Sequence, residues 1–164
     1  MTRAKAPLKI VLASDHGGVR MKADLLAHFR GKGIAAEDLG TDSTRSVDYP
    51  DYGFAAASVI RRKEADRAIL ICRSGIGMAI AANKSAGVRA ALVSTLEDAI
   101  LSRRHNDTNI LVLGGDEVPR LRARRIVDAW LSAPFEGGRH RRRVDKIRRF
   151  EKIHWKERKK PWTS

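Results

Sequence analysis

Nothing in this 164-residue chain approaches the ~20 consecutive apolar residues of a membrane-spanning helix, so no span is expected. Cysteine occurs once, at Cys72, which excludes a disulfide framework. The first seven residues are basic, but the apolar stretch behind them, residues 10–13, is too short for a secretory leader. Together these absences point to a cytoplasmic protein. The chain also lacks a full dinucleotide fingerprint and the lysine-serine pair of a phosphate-binding P-loop. No His, Cys, Asp or Glu cluster has metal-ligand spacing, so no metal site is expected.

What is present is positive charge. The formal net charge is +14, and residues 139–160 alone hold 12 Lys/Arg against 3 Asp/Glu. A basic end of this kind invites a nucleic-acid reading, with Trp155 and Trp162 available to stack on bases. A solvated or subunit-packing extension is the plainer alternative. The length fits a single domain, read as residues 1–150, with 151–164 as a basic extension.

Apolar runs at 8–13, 34–38, 68–72, 88–93 and 110–113 read as strands. Between them lie helical patterns: one from Val19 to Gly31 or Gly33, one opening at Pro50, and one from the Arg73-Ser74-Gly75-Ile76-Gly77 turn to about Ser85. Two more follow, one capped by Thr95 and one over 118–131. A last helix is expected over about 141–156, with Val144, Ile147, Phe150 and Ile153 on one face. Strands alternating with helices mean crossovers and a parallel sheet, whose ligands bind beyond the carboxyl ends of the strands. Asp15-His16-Gly17-Gly18, the turn after Cys72 and Gly114-Gly115-Asp116 fall there.

Several residues carry two readings. Cys72 is either a small core residue or a thiol whose ionisation is favoured by the following helix N-terminus and by Arg73. A phosphatase loop is disfavoured, because Met78 stands where the arginine six residues after the cysteine belongs. The Ser74–Gly77 turn either serves geometry or aims its amides at an anion. His16 either caps a helix or binds an anion. His105, opening the run His105-Asn106-Asp107-Thr108-Asn109, is a loop residue or a general acid/base. Arg139 and Arg143 share a helix face if their segment is helical, as a phosphate fork or a solvated basic surface.

Together the motifs resemble the type B ribose-5-phosphate isomerases and the related galactose-6-phosphate isomerase subunits. The matching stretches are Ala13-Ser14-Asp15-His16-Gly17-Gly18, Val47-Asp48-Tyr49-Pro50, Ile71-Cys72-Arg73-Ser74-Gly75-Ile76-Gly77 and Ile80-Ala81-Ala82-Asn83-Lys84. They continue with Ser102-Arg103-Arg104-His105-Asn106-Asp107-Thr108-Asn109, Ile126-Val127-Asp128-Ala129-Trp130-Leu131 and Phe135-Glu136-Gly137-Gly138-Arg139-His140. The resemblance implies a three-layer α/β, Rossmann-like fold with a five-stranded parallel sheet between helices. It implies a homodimer or dimer of dimers whose active sites are shared between subunits, acting on a phosphorylated sugar without cofactor. Under it no membrane partner is expected, and nucleic acid becomes the lesser alternative, a non-catalytic nucleic-acid-binding homologue on the same fold.

By the same resemblance, Cys72 matches the base that moves a proton between C1 and C2, Ser74 the assisting hydroxyl, and His105 the residue that opens the furanose ring. His16, Arg139 and Arg143 match phosphate ligands. Asp15, Tyr49 and Asn106 match substrate contacts, and the Gly75 and Gly77 amides face the developing oxyanion. Two positions depart from the pattern: Arg73 replaces a usual glycine, and Asp116 replaces a frequent phosphate-binding arginine. A carboxylate about 4 Å from a phosphate is repelled by about 4 kcal/mol per unit charge at an effective dielectric near 20. Hence a changed phosphate pocket is expected, with Arg73 compensating or with a tetrose, hexose or branched sugar phosphate preferred.

Overall fold

The computed structural model describes residues 7–155. Five strands, β1 (Ile10–Ser14), β2 (Ala36–Asp38), β3 (Arg67–Cys72), β4 (Ala90–Leu92) and β5 (Ile110–Gly114), form one parallel sheet in the order β2-β1-β3-β5-β4. β1 and β5 are buried along their whole length, as continuous apolar runs covered on both faces must be. The edge strands β2 and β4 are three residues long and partly exposed, which limits pairing with stray chains. The chain winds outward in both directions from the β1/β3 boundary, so a crevice opens there at the carboxyl edge.

Six helices accompany the sheet: α1 (Val19–Gly31), α2 (Tyr49–Arg61), α3 (Ile76–Ala82), α4 (Leu96–Asn106), α5 (Arg120–Ser132) and α6 (Gly138–His154). On one face, Met21, Leu25 and Phe29 of α1 join Ile126, Val127 and Trp130 of α5 against the sheet. On the other, Ala56, Ala57 and Ile60 of α2 join Met78 and Ala82 of α3. The expected α/β architecture is therefore present, layer by layer. Among the described residues no helix is long and apolar enough to cross a membrane.

Local chemistry sets the helix limits. Thr95 caps α4 as expected, its hydroxyl accepting the Asp98 amide at 3.0 Å. The third helix is shorter than its pattern suggested, because Gly75 sits at φ +78 and keeps Arg73 and Ser74 out of the helix. The last helix instead starts earlier, at Gly138, which draws Arg139 and His140 into its first turn and runs through the expected boundary at 150/151. Of its apolar stripe only Val144 is buried, where α6 packs on α4; Ile147, Phe150 and Ile153 stay exposed. The rest of the expected basic extension, including Trp162, lies outside the described residues.

Candidate active site

The three loops at the carboxyl edge are tied together by their own backbone. Gly115 donates its amide to the Cys72 carbonyl at 2.7 Å, Asp116 to the Arg73 carbonyl at 3.0 Å, and Asp15 to the Ile71 carbonyl at 3.3 Å. Asp15 is buried and turns back to accept the Gly17 amide at 2.9 Å. Contact is so close that a Cβ on Gly77 would meet the Tyr49 ring at 2.5 Å. The Tyr49 ring thus lies against the start of α3 while staying 40% exposed.

Within this frame the Cys72 Sγ accepts the Gly75 amide at 3.2 Å. The left-handed turn at Gly75 aims that amide back at the sulfur. Burial pushes the Cys72 thiol up from its ordinary value, and the Asp15 carboxylate adds to this; amides of Met78, Gly75 and Ser74 pull the other way. This corrects the expectation of a favoured thiolate. α3 is only seven residues long, and Arg73 has turned away from the sulfur. Its Nη1 lies 3.2 Å from Asp116 Oδ2, so the two departures from the family pattern pair with each other. Ser74 is half-buried and its Oγ accepts the Ile76 amide at 3.3 Å. His16 Nδ1 accepts the Val47 amide at 3.2 Å, so a neutral His16 carries its proton on Nε2 as a donor.

The remaining expected residues lie elsewhere. α4 runs back from the carboxyl edge, so His105 and Asn106, at its end, sit at the amino edge, beside the start of β5. The strands separate the two edges by on the order of 15 Å. Glu136 donates its amide to the Arg104 carbonyl at 3.0 Å, which fixes the entry to α6 against the end of α4. Arg139 and Arg143 share a face of α6, as expected, and both are exposed. One chain therefore gathers Asp15, His16, Tyr49, Cys72, Arg73, Ser74, Gly75 and Gly77 at one edge, and His105, Asn106, Arg139 and Arg143 at the other.

Sequence reading passed over Glu136 and His140. Their ligand atoms and that of His105 lie within 4.8 Å of one another, although 31 residues separate His105 from Glu136. Only the spacing of four between Glu136 and His140 hints at this in the sequence. The two imidazoles stack with centroids 4.1 Å apart and planes 4° from parallel. In that arrangement they do not chelate an ion, since each nitrogen lone pair lies in its own ring plane and the planes do not meet. Arg104 donates its Nε to Glu136 Oε1 at 2.6 Å and holds the Glu136 carboxyl below its usual range. Burial, then the neighbouring His105 and Arg139, hold His140 below the usual imidazole range.

The model of the Ribose/Galactose Isomerase family matches residues 10–147. The chain is 46% identical over 143 residues to ribose-5-phosphate isomerase B of Escherichia coli strain K12, covering 87% of this chain and 96% of that one. The solved structure of Clostridium thermocellum ribose-5-phosphate isomerase B superposes with a TM-score of 0.87 at 46% identity, over 90% of this chain and 99% of that chain. The Mycoplasma genitalium ribose-5-phosphate isomerase B structure with bound ribulose-5-phosphate gives a TM-score of 0.85 at 42% identity, over 88% and 96%. A family match over most of the described residues, with relatives of this identity aligned nearly end to end, means that the chain belongs to the ribose/galactose isomerase family.

Proposed function

We propose that the protein interconverts the aldose and ketose forms of a sugar phosphate, ribose 5-phosphate and ribulose 5-phosphate in the first instance. The observation that carries this reading is the Cys72 thiol, buried at the end of a central strand and faced by backbone amides. As thiolate it removes the C2 proton of the open-chain aldose; the electron pair forms the C1=C2 bond and leaves the charge on O1. The O2 proton passes to O1, the pair on O2 forms the C2=O2 bond, and the thiol returns its proton to C1, which gives the ketose and regenerates the thiolate. The Ser74 hydroxyl and the Gly77 amide face the enediolate oxygens, where donors act on charge that exists only in flight, while the Gly75 amide, expected there too, is turned onto the Cys72 sulfur and favours its thiolate. Asp15, Tyr49 and Asn106 contact the sugar. His16, Arg139 and Arg143 hold the phosphate, with His16 Nε2–H a ready donor. The proton shuttle needs neither nicotinamide nor metal. A single thiol with no disulfide suits a reducing compartment, the cytoplasm.

The separation of Cys72 from His105 supports a homodimer, or a dimer of dimers, in which a second copy brings His105, Asn106, Arg139 and Arg143 to the first copy's Cys72. Exposed Ile76 and Ile80 on α3 and Leu92 on β4 offer the apolar cover such an interface uses. The Arg73–Asp116 pair favours a second reading within the same chemistry, another phosphorylated tetrose, hexose or branched sugar.

Two experiments test this. A panel of four- to six-carbon aldose phosphates is assayed for ketose formation, and turnover of at least one is expected. Cys72→Ala and His105→Ala chains, each poorly active, are then unfolded together and refolded. Half of the dimers formed are mixed, and each mixed dimer has one intact site, so about a quarter of wild-type activity returns. Absence of turnover on the whole panel overturns the isomerase reading, and a mixture no more active than its parts overturns the shared site.

A further inference from the structure

We propose that His140 is a positioning residue that holds two catalytic-site groups at once, the His105 ring by stacking and the Arg139 guanidinium by accepting its hydrogen bond. This rests on the isomerase reading, which gives His105 and Arg139 their tasks. His140 is 95% buried by its 5% exposure, and it stands in the first turn of α6, where His105, Glu136 and Arg139 converge.

The donor Arg139 Nε lies 3.4 Å from His140 Nε2. An arginine has no proton to lose and no acceptor to offer, so Nε2 is the accepting atom and a neutral His140 carries its proton on Nδ1. The charged groups facing the ring agree with a neutral state. Burial disfavours a second proton, and His105, Arg139 and Arg143 repel one; Glu136 alone favours it, from 3.5 Å. Glu136 is itself engaged by Arg104, and its second oxygen lies 3.7 Å from His105 Nε2. His140 is therefore a flat, uncharged wall for His105, stacked at 4.1 Å, with an acceptor at its rim for the phosphate arginine.

The consequence is coupling. His105 stands at the end of α4 and Arg139 at the start of α6, and the His140 side chain touches both. Displacing it loosens the ring-opening group and the phosphate group together. Changing only its rim loosens the phosphate group alone.

Two substitutions separate these effects. His140→Phe keeps a flat ring against His105 and removes the acceptor. Its kcat is expected within about twofold of wild type, with KM for ribose 5-phosphate and the inhibition constant of inorganic phosphate both raised about tenfold, the size of one charge-assisted hydrogen bond. His140→Ala removes ring and acceptor, so kcat falls about tenfold as well. A merely structural role would lower both parameters with melting temperature, and equally for the two substitutions. Nitrogen-15 spectra of the wild-type protein add a readout independent of turnover: His140 is expected as the neutral Nδ1–H tautomer at pH 7 and above. An Nε2–H tautomer, an imidazolium at pH 7, or a His140→Phe protein with unchanged phosphate inhibition overturns the proposal. Failure of the wild-type protein to turn over any sugar phosphate overturns the underlying reading as well, and is seen before any substitution is made.

Discussion

The two edges of the sheet are built from different materials. At the carboxyl edge the working atoms are placed by backbone: the Cys72 sulfur faces the Gly75 amide, and the three loops hydrogen-bond to one another through main-chain groups. At the amino edge the working atoms are placed by side chains: Glu136 on Arg104, His140 on Arg139, His105 on His140. Backbone geometry has few soft degrees of freedom, so the first edge is rigid as soon as the sheet forms. A side-chain cluster pays rotamer entropy for each member and yields piece by piece. The first edge is thus suited to holding a reacting atom, and the second to delivering groups across an interface.

The largest test of this contrast is Cys72→Ala. Loss of the base is expected to cost about 10³-fold in kcat with the fold intact by circular dichroism, since general-base removal costs about 10²–10⁴-fold. Removal of Arg104, Glu136 or His140, the side chains that position the amino-edge groups, is expected to cost far less, and an equal loss at both edges would erase the distinction. The thiol has a pH signature too. Its native pKa is raised by burial, so above the unfolded thiol value of about 8.5 the unfolded chain sheds a proton that the native one keeps. Stability tied to this group is whole below that pH and is lost as pH rises towards the native value. Cys72→Ala removes that alkaline loss in denaturant titrations, while the kcat of the wild-type enzyme climbs over the same range.

Gly75→Ala comes next. It forces a left-handed residue and drives a methyl to 2.4 Å from Leu92 and 3.1 Å from the Leu113 carbonyl carbon, so a loss of about 2 kcal/mol is expected by urea titration. Beneath the other edge, Trp130 donates its Nε1 to Thr108 Oγ1 at 2.9 Å, and Thr108 donates to Ser102 of α4 at 3.1 Å. Trp130→Phe strips that donor and leaves a small void, for about 1–2 kcal/mol. Because this network sits under the end of α4 and touches no reacting atom, Trp130→Phe is expected to lose less kcat per unit of stability than Gly75→Ala, which displaces the amide facing the Cys72 sulfur; proportional losses break the contrast.

How much of this was legible beforehand follows the same division. The sheet, its parallel direction and the meeting of three glycine-bearing loops at its carboxyl edge were readable, because continuous apolar runs such as 68–72 and glycine turns after them leave the backbone little choice. The length of α3 was not, since it depends on one left-handed residue, Gly75, and an isolated glycine in a helical pattern does not announce its φ. The Glu136–His140–His105 cluster was invisible as a unit because it is made by α6 docking on α4, a tertiary event with no local spacing. The thiol's direction was misjudged for a related reason. Sequence offered the nearby charge of Arg73, while the outcome turned on burial and on where that arginine goes.

Where that arginine goes sets the smallest expected effect. The Arg73–Asp116 pair joins two loops of the rigid edge by side chains, the one such link there that resembles the amino edge in construction. Both partners are more than half exposed, at 70% and 56%, so solvent screens the attraction and breaking it costs at most about 1 kcal/mol of stability. Its role in binding is separable from that. Arg73→Gly leaves the Asp116 carboxylate uncompensated near an incoming phosphate, and KM for a sugar phosphate is expected to rise a few-fold. Asp116→Asn in the Arg73→Gly background removes the charge and restores KM, although no salt bridge is remade. A double-mutant cycle reads this directly, because the non-additive part belongs to the pair. If the two substitutions add independently, and Asp116→Arg also leaves the preference among sugar phosphates unchanged, the pair is surface decoration. The phosphate then answers only to His16 and to the arginines of the opposite edge.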